Sequence, residues 1–240
     1  MVSAALRRLR HRHAGDARFP LPRAPEPAAS APATPRRRGA GGVRALALLA
    51  LLAGPAAADP GTDLAAAAQA QVGVTTIYDP AYVGLAFPGG DLPRERGVCT
   101  DVVIRALRDA WGLDLQAAVN ADMKAAFAAY PKIWGLSSTD RNIDHRRVPN
   151  LETLFTRAGA GLPLVTDPSA FRPGDVVSFR LTGSGLPHIG IISSNSAPDG
   201  TPLVTHNIGA GARTEDMLFD HPMSGHFRLG ESARTWLAAR

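Results

Sequence analysis

Cysteine is nearly absent from this chain. Cys99 stands alone among 240 residues, so no internal disulfide can form and no Cys-x-x-Cys pair is available to a structural metal. No apolar run approaches the ~20 residues that a bilayer-spanning helix needs, because the one apolar stretch of the N-terminal region extends only from Val43 to Leu52. Internal repeats are missing, as is the His-Glu-x-x-His pair of many zinc hydrolases. Gly209 and Gly211 in NIGAGAR are followed by neither Lys-Ser/Thr nor a helical pattern, which removes a phosphate-binding loop. Basic charge is also missing where it would matter for nucleic acid. The net charge of +5 arises from ten arginines against two acids in residues 1–58, so the remaining sixteen basic residues face nineteen acidic ones and carry −3. No nucleic-acid partner is expected.

The arginine-rich start, the apolar core from Val43 and the small residues Ala56-Ala57-Ala58 read in order as a secretory signal peptide cleaved after Ala58. Its arginine-rich flank is long, so a start nearer Arg36 or a twin-arginine signal are variants of the same reading, and a cytosolic extension is the competing one. Export to the periplasm, with no stable membrane anchor, is the expectation. Residues 59–240 then form one mature domain, and in an oxidising compartment a lone retained thiol calls for a reason.

Cys99 lies in RGVCTDVVIRAL, where a Gly/Pro-rich stretch gives way to apolar residues at helical spacing. The spacing predicts a helix over Cys99–Ala110, with Val98, Val102, Ile104, Ala106 and Leu107 inward and Arg105 and Arg108 on the other side. At a helix start, free backbone N–H groups and the macrodipole favour a thiolate over a thiol, which makes Cys99 a candidate nucleophile. The plainer alternative is a small buried hydrophobe.

Elsewhere, Thr62 or Asp63 is expected to cap a helix to about Val72, Leu115–Tyr130 forms another, and Asn150 opens a short one closing at Gly159. Tyr78–Arg96 reads as an ordered loop walling the cleft before Cys99. Strands are expected at Asp175–Phe179, His188–Ser193, Leu203–Asn207 and Gly225–Leu229. Helices first and then an antiparallel meander indicate an α+β fold.

A thiol nucleophile needs a base and a third group to orient it. Of the histidines beyond the leader, His188 in LPHIGIIS and His206 in LVTHN lie on strands that can neighbour each other. Strand alternation lets only one of His206 and Asn207 face the cleft.

The succession of a helix opening with Cys, then RPGDVVSF, PHIGIIS and PLVTHN resembles the papain-like fold of the NlpC-type cell-wall cysteine peptidases. That resemblance implies Cys99 as nucleophile, His188 as general base and acid, and His206 as the orienting third member. It departs from the peptidases at the nucleophile, where they show Asp-Cys-Ser and this chain has Val98-Cys99-Thr100. Over nearly the whole mature chain, YDPAY, FPGGDLPRERGVCTDVVIRAL, YPKIWGL, DRNIDHRRVPNL and HNIGAG resemble a bacterial exported family known as a domain of unknown function, number 1287.

The implied activity is a cysteine amidase or peptidase on peptidoglycan stem peptides, needing no cofactor. Substrate contacts are expected from Tyr78 at the cleft border, Asp101 near the helix start, and Arg146 or Arg147, whose guanidinium fork suits a substrate carboxylate. The alternatives are a non-catalytic cell-wall or peptide-binding module, an acyl transferase on the same fold, and a metal-dependent hydrolase drawing on Asp144, His145, His188 and His206.

Overall fold

A computed structural model describes residues 59–240. The leader over 1–58 and its cleavage point lie outside the described residues. Among those described, no helix is long and apolar enough to cross a membrane.

Helix α1 spans Pro60–Gln69. It starts earlier than expected because Asp59 Oδ1 accepts from the Gly61 amide at 3.0 Å and Pro60, preset for helical φ, occupies the first position. Helix α2 runs Cys99–Trp111 and stops where Gly112 turns left-handed at φ 68°. Its one surprise is Arg105, read as facing outward and in fact fully buried. The guanidinium is satisfied by Asp91 (2.9 Å to Oδ1), Thr75 Oγ1 (3.1 Å) and the Leu92 and Arg94 carbonyls. With its donors paired in this way the cation tolerates burial, and it staples the loop before Cys99 to the helix.

That loop is bracketed by strands β1 (Ile77–Tyr78) and β2 (Arg96–Gly97), which pair in parallel. Helix α3 covers Leu115–Ala126 and tightens into a 3₁₀ turn over Phe127–Ala129, ahead of the expected end at Tyr130. Helix α4 spans Val148–Arg157. The expected Asn150 cap does not form: Asn150 Nδ2 donates to the Asp144 carbonyl at 3.0 Å, and Pro149 presets the first turn.

Strands β3 (Val176–Arg180), β4 (Pro187–Ser196), β5 (Pro202–Asn207), β6 (Ala212–Glu215) and β7 (Met223–Phe227) form one antiparallel sheet in the order β6-β5-β4-β3-β7. Register is set by pairs such as Val176 with Ile191 and Ile191 with Thr205. β6 was absent from the sequence expectations, since four residues, ARTE, carry too little alternation to register. Helix α5 (Glu231–Ala238) closes the chain.

One sheet face presents Val176, Ile189 and Ile191 to α1, α2 and α4, where Val102, Leu107, Leu154 and Phe155 complete a buried cluster that includes Cys99. The other face holds a smaller cluster of Phe171, Val177, Phe179, Ile192 and Val204. Each fully buried aliphatic or aromatic side chain stabilises by ~1.5–3 kcal/mol. The larger cluster therefore fixes α2, and with it Cys99, against the middle of the sheet.

Candidate active site

The segment ahead of Cys99 is shaped by a close approach. A Cβ on Gly97 would lie 2.9 Å from Asp101 Cβ, so only glycine admits the turn that folds Val98 back over the first helical turn. There Asp101 Oδ2 accepts from the Val98 amide at 2.6 Å. The same carboxylate takes a two-pronged contact from Arg146, with Nε to Oδ1 and Nη2 to Oδ2 both at 3.0 Å. Arg146 spends further donors on the Ala81 and Asp79 carbonyls at 3.1 and 3.0 Å.

Asp101 and Arg146 thus form a buried ion pair, with each side chain less than 5% exposed. Each was expected to meet a substrate; in the structure their charges are spent on one another, while Arg146 still lines the cavity beside Cys99. Arg146 is neutralised inside the wall, tying the helix start to the loop at Asp79–Ala81. Arg147 remains at the cleft. Its Nη1 donates to Asp144 Oδ1 at 2.8 Å and its guanidinium lies over the Trp134 ring, 4.2 Å from the centroid.

A cavity of ≈ 340 Å³ opens beside Cys99, lined by Tyr78, Val98, Trp134, Arg146, Arg147 and Pro187. Tyr78 is half-exposed at its border, and its hydroxyl is pushed above the usual phenol range by burial first and then by Cys99 and Asp101. Trp134 escaped the sequence reading, because a single aromatic in an irregular stretch carries no periodic signal.

Cys99 itself is buried at 7% exposure. The amides of Ile189, Thr100 and Cys99 act on the sulfur to favour a thiolate, but burial acts the other way and prevails, helped by the Asp101 charge. The thiol is pushed up to about 12, opposite to the lowering expected from the helix start. The physical reason is burial first, which disfavours the anion by more than the three amides restore, and then the Asp101 carboxylate standing at the same helix end.

Ile189 directly follows His188, so the sulfur sits beside the start of β4. His188 Nε2 and His206 Nδ1 are 2.9 Å apart, with the rings nearly perpendicular. Gly190 makes this contact feasible: a Cβ there would meet Val204 Cγ1 at 2.6 Å and His206 Cβ at 3.1 Å. The His206 ring leans across the space left by the missing side chain. His206 Nε2 in turn lies 3.1 Å from Glu215 Oε2 on β6.

Asn207, the competitor for the third position, faces the opposite way and donates from Nδ2 to the Gly97 carbonyl at 3.0 Å. It holds the pre-cysteine turn against β5 and makes no contact with His188. Burial drives His188 down to about 3, and protonation of the adjoining His206 ring would oppose its charge further. His206 is also lowered by burial, against the opposing pull of Glu215. Both rings are therefore neutral at pH 7.

His145 and Asp144 do not join them. Among the described residues no three His, Cys, Asp or Glu side chains group as metal ligands. His226 bonds the buried Asp175 at 2.8 Å, and the half-buried Arg228 completes that cluster.

The molecule is an α+β protein in which a helix opening with the sole cysteine packs on a five-stranded antiparallel sheet bearing two hydrogen-bonded histidines. The chain belongs to the family described as Domain of unknown function (DUF1287), whose model matches residues 65–229. The "Uncharacterized protein YijF" of Escherichia coli (strain K12) is 57% identical over 169 residues, covering 70% of this chain and 82% of that protein. Among solved structures, NlpC1 from Trichomonas vaginalis is similar at 15% identity and a TM-score of 0.38, over 71% of this chain and 44% of its own length. NlpC2 from the same organism gives 16%, 0.37, 71% and 48%. This chain spans less than half the length of those two proteins.

Proposed function

We propose that this protein is an exported cysteine amidase or peptidase that hydrolyses an amide of peptidoglycan stem peptides through Cys99, His188 and His206. The observation that carries the proposal is the 2.9 Å His188–His206 contact at the start of the strand whose next amide acts on the Cys99 sulfur. That is the order nucleophile, base, orienting group which thiol chemistry requires.

Because the resting pair is a neutral thiol and a neutral imidazole, deprotonation accompanies attack. Cys99 Sγ bonds to the amide carbon as its proton passes to His188. The Cys99 amide steadies the oxyanion, and His188 then returns the proton to the leaving amine as the C–N bond breaks. Water, activated by the same imidazole, splits the thioester and restores the thiol. Arg147, which lines the cavity, is our candidate to meet a substrate carboxylate. The substrate class follows from the resemblance and from the expected compartment.

The second reading is a non-catalytic peptide-binding module, favoured by one observation: the Cys99 thiol stands near 12 in its dry pocket. Incubating the purified protein with disaccharide-tetrapeptide fragments and measuring new amines by mass spectrometry separates the two. Release that disappears in Cys99→Ala and His188→Ala supports the enzyme. Fragments bound by wild type and Cys99→Ala alike, and cleaved by neither, support the module.

A further inference from the structure

The histidine pair ends on a carboxylate that the proposed reaction does not use. Glu215 lies diagonal to His206 across the β5–β6 ladder, in which Val204 pairs with Glu215 and His206 with Arg213. Its Oε2 meets His206 Nε2 at 3.1 Å, and its Oε1 is 3.6 Å from Arg213 Nη1. His188, His206 and Glu215 thus form a row in which His206 uses a different nitrogen toward each neighbour.

A neutral imidazole carries one N–H, so the hydrogens of the row must all point the same way. An ionised carboxylate only accepts. With Glu215 at one end, His206 holds its hydrogen on Nε2 and offers Nδ1 as acceptor. His188 must then hold its own hydrogen on Nε2, which leaves Nδ1 bare. That bare nitrogen is the His188 atom not engaged by His206, and the one able to take a proton from sulfur.

We infer that Glu215 is a positioning residue: its carboxylate fixes the tautomer of His206 and, through it, that of His188 in the form that accepts the Cys99 proton. The inference rests on His188 being the base for Cys99. The balance is simple. Cys99 Sγ loses a proton, His188 Nδ1 gains it, and the resulting imidazolium keeps its Nε2–H donated to His206. No proton needs to leave the row. Arg213 brings positive charge to the same side, and Glu215 offsets it at His206.

Two measurements on the purified protein test this: ¹⁵N-histidine NMR, which reads the tautomers directly, and the rate of Cys99 alkylation by iodoacetamide across pH. Wild type is expected to show Nε2–H on both rings. Glu215→Lys, whose ammonium can only donate to His206 Nε2, turns both rings to Nδ1–H and slows alkylation at pH 7 by about 10-fold or more, as loss of a correctly oriented base does. Glu215→Asp keeps an accept-only group and retains the wild-type tautomers. A Glu215→Lys protein with unchanged tautomers, or with slowed alkylation only through a lowered melting point, overturns the role of Glu215. If alkylation falls in His188→Ala but not in Glu215→Lys, the Cys99–His188 pair stands and Glu215 alone is refuted. Indifference to His188→Ala refutes the pair and this role with it.

Discussion

Acid should unfold this protein through its buried neutral histidines. His145 and His188 are 2% and 3% exposed, and burial holds them near 4 and 3, against an ordinary value of 6.5. At pH 5 an unfolded chain binds a proton at each, whereas the folded one leaves both bare. The unfolded state therefore binds more protons, and stability rises with pH between about 4 and 6.5. Each histidine is 1.5 pH units below its unfolded value at pH 5, which at ~1.4 kcal/mol per unit amounts to about 2 kcal/mol, or about 4 kcal/mol for the two.

His206, lowered by burial as well, adds in the same direction, while Asp144, raised by burial, opposes it. For a domain of this size, about 4 kcal/mol shifts the melting temperature by roughly 8–16 °C. Calorimetry at pH 7 and pH 5 in matched buffers measures the shift, and the double variant His145→Gln/His188→Gln should flatten it. A wild-type melting temperature that moves by less than about 3 °C would show that both rings take up protons in the folded state, and the burial argument would fall.

Two further perturbations follow from the site's architecture. Arg146→Ala strands Asp101 as a buried carboxylate and should cost about 3–5 kcal/mol in urea unfolding, whereas a loss under about 1 kcal/mol would mean that the pair is hydrated. Gly190→Ala drives a methyl into Val204 and His206; about 1–3 kcal/mol of stability should go, and with it the 2.9 Å His188–His206 contact. Crystallography of that variant decides the matter, since an undisturbed pair of rings would refute the need for glycine there.

Much of the molecule was legible in the chain itself. Apolar spacing after Cys99 set the helix, and Gly112 its end. PHIGIIS and PLVTHN declared adjacent strands through alternating apolar residues. What escaped notice lacked period or length: β6 is four residues, Trp134 stands in irregular backbone, and Arg105 occupies a helical position that looks solvent-facing until Asp91 and the loop carbonyls close over it.

The sequence by itself therefore determined which residues make up the candidate site, because a lone cysteine at a helix start and histidines on apolar strands are local features. Tertiary structure decided which partners each one meets. Whether Arg146 meets a substrate or Asp101, whether His206 or Asn207 faces His188, and whether Cys99 is a thiol or a thiolate depend on long-range burial and on partners from distant segments. Local spacing encodes neither, since a charge answers to the groups and the solvent around it and not to its neighbours along the chain.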